Sequence, residues 1–374
     1  MTTKMLNEFK PDYNAHPGFM LSEIAAARGI MKMELARRVG LEEKTMSQIL
    51  NGKAPIETET AIALERVLGI PAETWSALSA NYKLRKKREE SAKRLSGFVR
   101  WADQFPVKEL VERGMMAKPS SKTDAVEKIL GFFGVSSPES LDDYLSRLRI
   151  LYRRSPTFQS DTKAVASWLR IAEIIAAGID AEPFDRSAFL ETVKAIRDMT
   201  LKAPCDFVPY MVEACARSGV ALAIVKEIPG TRLSGASHWL NPSKALIALS
   251  GRHRLEDHFW FSFFHEAAHI IYHGKKQAFI NCENASSSKE ESEADRFAAN
   301  ILIPPSEYSA FSQSGFFLKA DILRFSSKVC VSPGIVVGRL QKDGLIKYDW
   351  HNNLRRRFDP DNLSALATQN ANSQ

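Results

Sequence analysis

The chain has 374 residues, 44% of them hydrophobic, with a formal net charge of +7 and a pI near 9.1. That length exceeds what one hydrophobic core usually supports, so two or three domains are expected. No apolar run is long enough to cross a bilayer, no leader-type segment opens the chain, and Cys205, Cys215, Cys282 and Cys330 form no C-x-x-C pair; this argues against a membrane-spanning or disulfide-stapled secreted protein and predicts a cytoplasmic one with reduced thiols.

The first strong pattern runs from Met33 to Gly52 and reads as a helix-turn-helix. Ala36 is small where two helices must approach, and Gly40 permits the tight turn between them. Met46 and Ile49 place apolar groups at i and i+3 on the second helix, which leaves Lys44, Thr45, Ser47 and Gln48 facing outward. Short donors and acceptors of this kind suit base edges and phosphates in a major groove, so these four residues are the candidate DNA contacts. The alternative is an ordinary helical hairpin with a polar face.

The wider segment, from about Phe9 to Tyr82, resembles the HigA branch of the Xre-type regulators. The matching residues are His16-Pro17-Gly18, Leu21, Gly29, the motif above, Asn51-Gly52-Lys53, Pro55-Ile56, Ala61, Leu64, Leu68-Gly69-Ile70 and Trp75. The resemblance implies a five-helix, lambda-repressor-like domain over 1–82 that binds operator DNA, with a homodimer expected. Proteins of that branch are antitoxins that repress their own operon and bind a ribonuclease toxin. They are about as long as this first segment alone, so the rest of the chain speaks against a purely antitoxin role.

Lys83-Leu84-Arg85-Lys86-Lys87-Arg88 follows as a basic run, and Glu89, Glu90, Lys93 and Arg94 then place glutamate four residues before a cation twice. That pattern predicts a solvated single helix, serving either as a connector or as an arm that contacts phosphates. Residues 83–200 read as a helical linker or partner-binding region. Its amphipathic stretches lie around Leu95–Gln104, Asp124–Phe133, Leu141–Leu151 and Thr162–Ala177, the last capped by Asp161.

The second strong pattern is His265-Glu266-Ala267-Ala268-His269, an H-E-x-x-H sequence preceded by the apolar run Phe259–Phe264. Positions i and i+4 share one helix face, so both imidazoles can address one ion, with Glu266 placed as a general base. Catalytic zinc takes three protein ligands. The segment Lys289 to Pro305 supplies a second amphipathic helix, stopped by Pro304 and Pro305, with Glu290, Glu293 and Asp295 near its start. Those acids can also serve the helix macrodipole. Cys282, in the polar loop between the two helices, is a remote candidate to reach the metal. A polar tail after Leu366 is expected to be disordered.

H-E-A-A-H-I-I-Y-H followed by E-S-E-A-D-R-F-A-A-N-I-L-I-P resembles the ImmA/IrrE family of zinc metallopeptidases. So do Ala245–Ser250, the stretch Arg252 to Phe264, and Val331 to Leu340. The resemblance covers roughly Phe207 to Phe358. It implies a zincin-like domain with a small sheet over 201–374, a Zn²⁺ cofactor held by His265, His269 and Glu293, and Glu266 as the base. Glu291, one turn before Asp295, is the alternative third ligand. Family members are linked to cleavage of repressor-type DNA-binding proteins. His273 and Tyr272 are candidates to support the site or donate to an oxyanion, and Ala245–Ser250 is expected to accept an extended substrate as an added strand.

The whole reads as a mainly α, α+β protein: a DNA-binding regulator carrying a zinc endopeptidase that cleaves a repressor or partner. The competing expectation is an antitoxin-like autorepressor whose peptidase fold senses a signal or docks a toxin with little turnover. The intact Glu266 favours the first.

Overall fold

A computed structural model of the chain describes residues 15–143, 145, 161–273, 279–282 and 289–369. These divide into two compact units, 1–98 and 99–374. Among the described residues the first unit has five α-helices: α1 (Pro17–Ala27), α2 (Lys32–Val39), α3 (Glu43–Leu50), α4 (Thr58–Leu68) and α5 (Ala72–Leu95). Leu21, Leu35, Met46, Leu64 and Trp75 are fully buried at its centre. His16 caps α1 through its Nδ1, which accepts from the Gly18 N–H at 3.0 Å, and Pro17 takes the first helical position, where its missing N–H costs nothing. Gly40 ends α2 in the left-handed conformation, at φ 78°.

The expected boundary near residue 82 does not coincide with an element end, because α5 runs unbroken to Leu95. The helical middle is therefore shared between the units, its larger part belonging to the second.

That second unit is built on a four-stranded sheet in the order β1-β3-β2-β4, where β1 is Val220–Ile224, β2 Leu233–Asn241, β3 Lys244–Leu249 and β4 Phe279–Cys282. β1 pairs parallel with β3; β3 pairs antiparallel with β2, and β2 with β4. Every residue of β1 is buried, as are Ala245 to Leu249 of β3, because helices cover both faces. Thr162–Ala177 is helical as expected and capped by Asp161, whose carboxylate accepts from Lys163 and Ala164. It packs on the sheet, and Trp168 donates to the Val225 carbonyl at 2.8 Å.

Two expectations need correction. β3 is flanked on both sides, so its backbone groups are engaged and it cannot accept an extended peptide as an added strand. The helix Pro360–Gln369 continues past Leu366 and buries Ala367, so the tail is ordered through Gln369. Most of the expected Leu141–Leu151 helix lies outside the described residues.

Candidate metal centre and nucleic-acid interface

The histidine helix, Glu256–Tyr272, lies against β2 and β3, and its middle is apolar enough to be buried on nearly every side. His265, Glu266 and His269 are 2%, 0% and 1% exposed. Across from it runs the acidic helix, Lys289–Leu302.

The ligand-bearing atoms of His265, His269 and Glu291 all lie within 4.8 Å of one another. His265 Nε2 is 3.0 Å from His269 Nε2 and 3.1 Å from Glu291 Oε2, and His269 Nε2 is 3.5 Å from Glu291 Oε1. Zinc–nitrogen bonds of about 2.05 Å give a tetrahedral edge of roughly 3.3 Å, so this triangle fits a tetrahedral zinc.

Both rings are oriented from behind. Asp295 Oδ1 meets His265 Nδ1 at 2.9 Å, and His273 Nδ1 meets His269 Nδ1 at 3.0 Å. A carboxylate behind a ligating imidazole fixes its tautomer and turns the other nitrogen toward the ion.

Burial favours a neutral His265 ring, but the bonds to Asp295 and Glu291 outweigh it and hold the pKa up to about 10. Burial likewise works against the charged form of Glu291, yet the two histidines pull its carboxyl down to about 2. The pocket thus stabilises positive charge between two carboxylates, the environment a divalent cation needs.

Glu293, expected as the third ligand, is placed elsewhere: its Oε2 is 3.5 Å from His273 Nε2. The reason is helical geometry. Glu291 and Asp295 are one turn apart and share the face toward the histidines, whereas Glu293 is about 200° around from Glu291. Tyr272 is also turned away, half-exposed against Phe297 and under the Arg186 guanidinium. Cys282 ends β4, and its side chain lies outside the described residues.

Glu266 is fully buried beside the triangle. Ser237 Oγ of β2 donates to its Oε2 at 2.6 Å, a partner the sequence did not reveal, while Oε1 has no hydrogen-bond partner among the described residues. Burial raises its carboxyl to about 8, against the pull of His265 and Ser237. Gly235 makes the approach possible, since a Cβ there would sit 3.0 Å from Glu266 Oε1.

A cleft of about 550 Å³ opens onto the centre, lined among others by His265, Glu291, Ser234, His258, Arg339 and Tyr348. Its floor is braced by Arg355, which holds Asp257 through two hydrogen bonds.

In the first unit, Lys44 and Gln48 are exposed on α3, while Thr45 and Ser47 are half-buried. Lys44, Ser47, Gln48 and Asn51 fall on one face; Thr45 lies at its flank. Lys32, at the start of α2, donates to Ser47 Oγ, so it joins this surface too. Its position at a helix start gave no signal in the sequence.

Residues 20–74 match the family model of the Cro/C1-type HTH DNA-binding domain, and residues 224–341 match that of the M78 peptidases, described as an IrrE N-terminal-like domain. Among solved structures, the chain is similar to an addiction module antidote protein of a HigA family from Coxiella burnetii, at 26% identity over 22% of this chain and 91% of that one, with a TM-score of 0.21. No curated protein matches the chain. A Cro/C1-type helix-turn-helix domain thus stands at the N-terminal end and an IrrE/ImmA-like domain at the C-terminal end of a mostly helical chain.

Proposed function

We propose that the chain is a DNA-binding transcriptional regulator whose second unit is a zinc-dependent endopeptidase acting on a repressor or partner protein. The observation that carries this reading is the convergence of His265, His269 and Glu291 beside a buried, partly unpartnered Glu266 at the end of an open cleft. His265, His269 and Glu291 would hold the ion, and zinc bound there would supply Lewis acidity. Glu266 takes a proton from the attacking water and delivers it to the leaving amine. Ser237 fixes the rotamer of that carboxylate, and Asp295 and His273 keep the imidazoles aimed. On the first unit, Lys44, Thr45, Ser47 and Gln48 read an operator in double-stranded DNA, the protein acting as a homodimer.

Zinc content per chain tests the site. Wild type, Glu266→Gln and Glu293→Ala are expected to purify with one equivalent, because neither replaced side chain is a ligand. His265→Ala, His269→Ala and Glu291→Ala are expected to lose stoichiometric metal. A Glu291→Ala protein that keeps a full equivalent while Glu293→Ala loses it would restore Glu293 as the ligand. Equal zinc in wild type and His269→Ala would overturn the site.

A further inference from the structure

The α3 helix has eight residues, about 12 Å of length, comparable to the width of a major groove. Whatever flanks its C-terminal end therefore faces the sugar-phosphate wall. In this chain α1 occupies that position, and α5 packs on α1. Gly18 of α1 abuts the end of α3 so closely that a Cβ there would lie 1.7 Å from the Ile49 carbonyl oxygen. His16 lies against Gly52 in the turn after α3, and on its other side it meets Tyr82 of α5 edge-on, with ring centroids 4.8 Å apart. Lys83 of α5 reaches Glu57, just before α4, at 3.3 Å. Lys86, one turn beyond Tyr82, is near enough that its charge acts on His16.

The basic run is thus the helical second half of α5, and His16 lies between the start of that half, at Tyr82, and the turn after the recognition helix. At 100° per residue, Lys83, Lys86, Lys87, Lys93 and Arg94 fall within one third of the helix circumference. All five are exposed. Glu90 is the one acid on that stripe, and it pairs with Lys87. Lys86, Lys93 and Arg94 make no ion pair within 4 Å among the described residues, though the charges of Lys86 and Lys93 also act on Glu90. Arg85 and Glu89 pair off this stripe, and Arg88 points to the opposite side.

We propose that the stripe Lys83, Lys86, Lys87, Lys93 and Arg94 is a second DNA-contacting surface, which grips the phosphate backbone of duplex DNA beyond the sequence read by α3. The inference rests on the DNA-binding reading of the first unit and extends it by a sequence-independent contact. Cations on an exposed helix displace condensed counterions, so affinity gains a salt dependence in proportion to the phosphates met.

The test compares three forms of the full-length chain: wild type, a stripe variant with all five residues changed to Gln, and Arg88→Gln. Glutamine keeps helix propensity, and circular dichroism checks that α5 is intact. Binding to a 40-bp duplex of random sequence, and to duplexes selected by the wild type, is followed by anisotropy across salt concentration.

The stripe variant is expected to lose at least tenfold affinity on both duplexes. Its slope of log affinity against log salt should be shallower by about 2 to 4, at about 0.9 per lost contact. Arg88→Gln should keep the wild-type slope. A stripe variant with the wild-type slope, beside a wild type that binds, overturns the stripe alone. A wild type that binds no duplex overturns the DNA reading and the stripe together.

Discussion

At the scale of single residues, two histidine roles separate cleanly. His265 and His269 are proposed to hold a cation, whereas His16 is buried and its neutral ring caps α1. Its pKa is lowered by burial first and by the charge of Lys86 second. Because the folded value lies below the ordinary one of about 6.5, the cap is fully stabilising above that pH and is lost as the pH falls below it. Protonation also removes the Nδ1 lone pair that accepts from Gly18. An N-cap contributes about 1 kcal/mol. The calorimetric transition of the first unit should therefore fall more steeply between pH 7.5 and 5 in wild type than in His16→Asn, where an amide oxygen caps without titrating. Identical pH profiles for the two proteins would refute this role. His265, Glu266 and His269 were legible in the sequence because their spacing defines one helix face. The third carboxylate was narrowed only to Glu293 or Glu291, which differ in the phase of a helix whose facing partner is set by tertiary packing.

At the scale of elements, the stretch that carried no chemical motif turns out to support the centre. Arg186 donates to the Ile271 carbonyl at 2.8 Å, at the last turn of the histidine helix. Arg197 reaches the carbonyls of Ile301 at 2.7 Å and Leu302 at 3.2 Å, which end the acidic helix, and also Val329. Two guanidinium groups from the helix Arg186–Asp198 thus cap the C-terminal ends of both helices that build the metal triangle. A charged hydrogen bond lost from a mostly buried group costs about 1.5–3 kcal/mol. Arg197→Ala should lose about 2–3 kcal/mol in denaturant unfolding and bind zinc less tightly in chelator competition, because the helix bearing Glu291 is loosened. Lysine at 197 should rescue little, having no planar fork to span three carbonyls. Wild-type stability and zinc affinity in Arg197→Ala would show that these caps are incidental. None of this was visible in the sequence, where Arg186 and Arg197 look like ordinary cations on a polar helix face. The central place of β3 was hidden for the same reason: a buried run such as Ala245–Leu249 announces a strand but not its neighbours.

At the scale of the whole molecule, the two ends of the chain were the most legible parts, because each carries a local pattern tied to a function. A helix-turn-helix must place a small residue, a turn glycine and an apolar pair at fixed intervals, and a metal helix must place two histidines four apart. The joining segment obeys only the demand for buried apolar faces, which many folds meet. No helix among the described residues is long and apolar enough to cross a membrane.

Glu266 is proposed to serve the hydrolysis of a peptide bond by this DNA-binding chain. The most direct measurement is a proteome-wide comparison of protein N-termini in cells expressing wild type or Glu266→Gln, since the variant should keep its fold, zinc and DNA binding. New internal N-termini in a DNA-binding protein, this chain included, are expected with wild type only; loss of a general base should cut their appearance at least 100-fold. Identical N-termini in the two strains would contradict it.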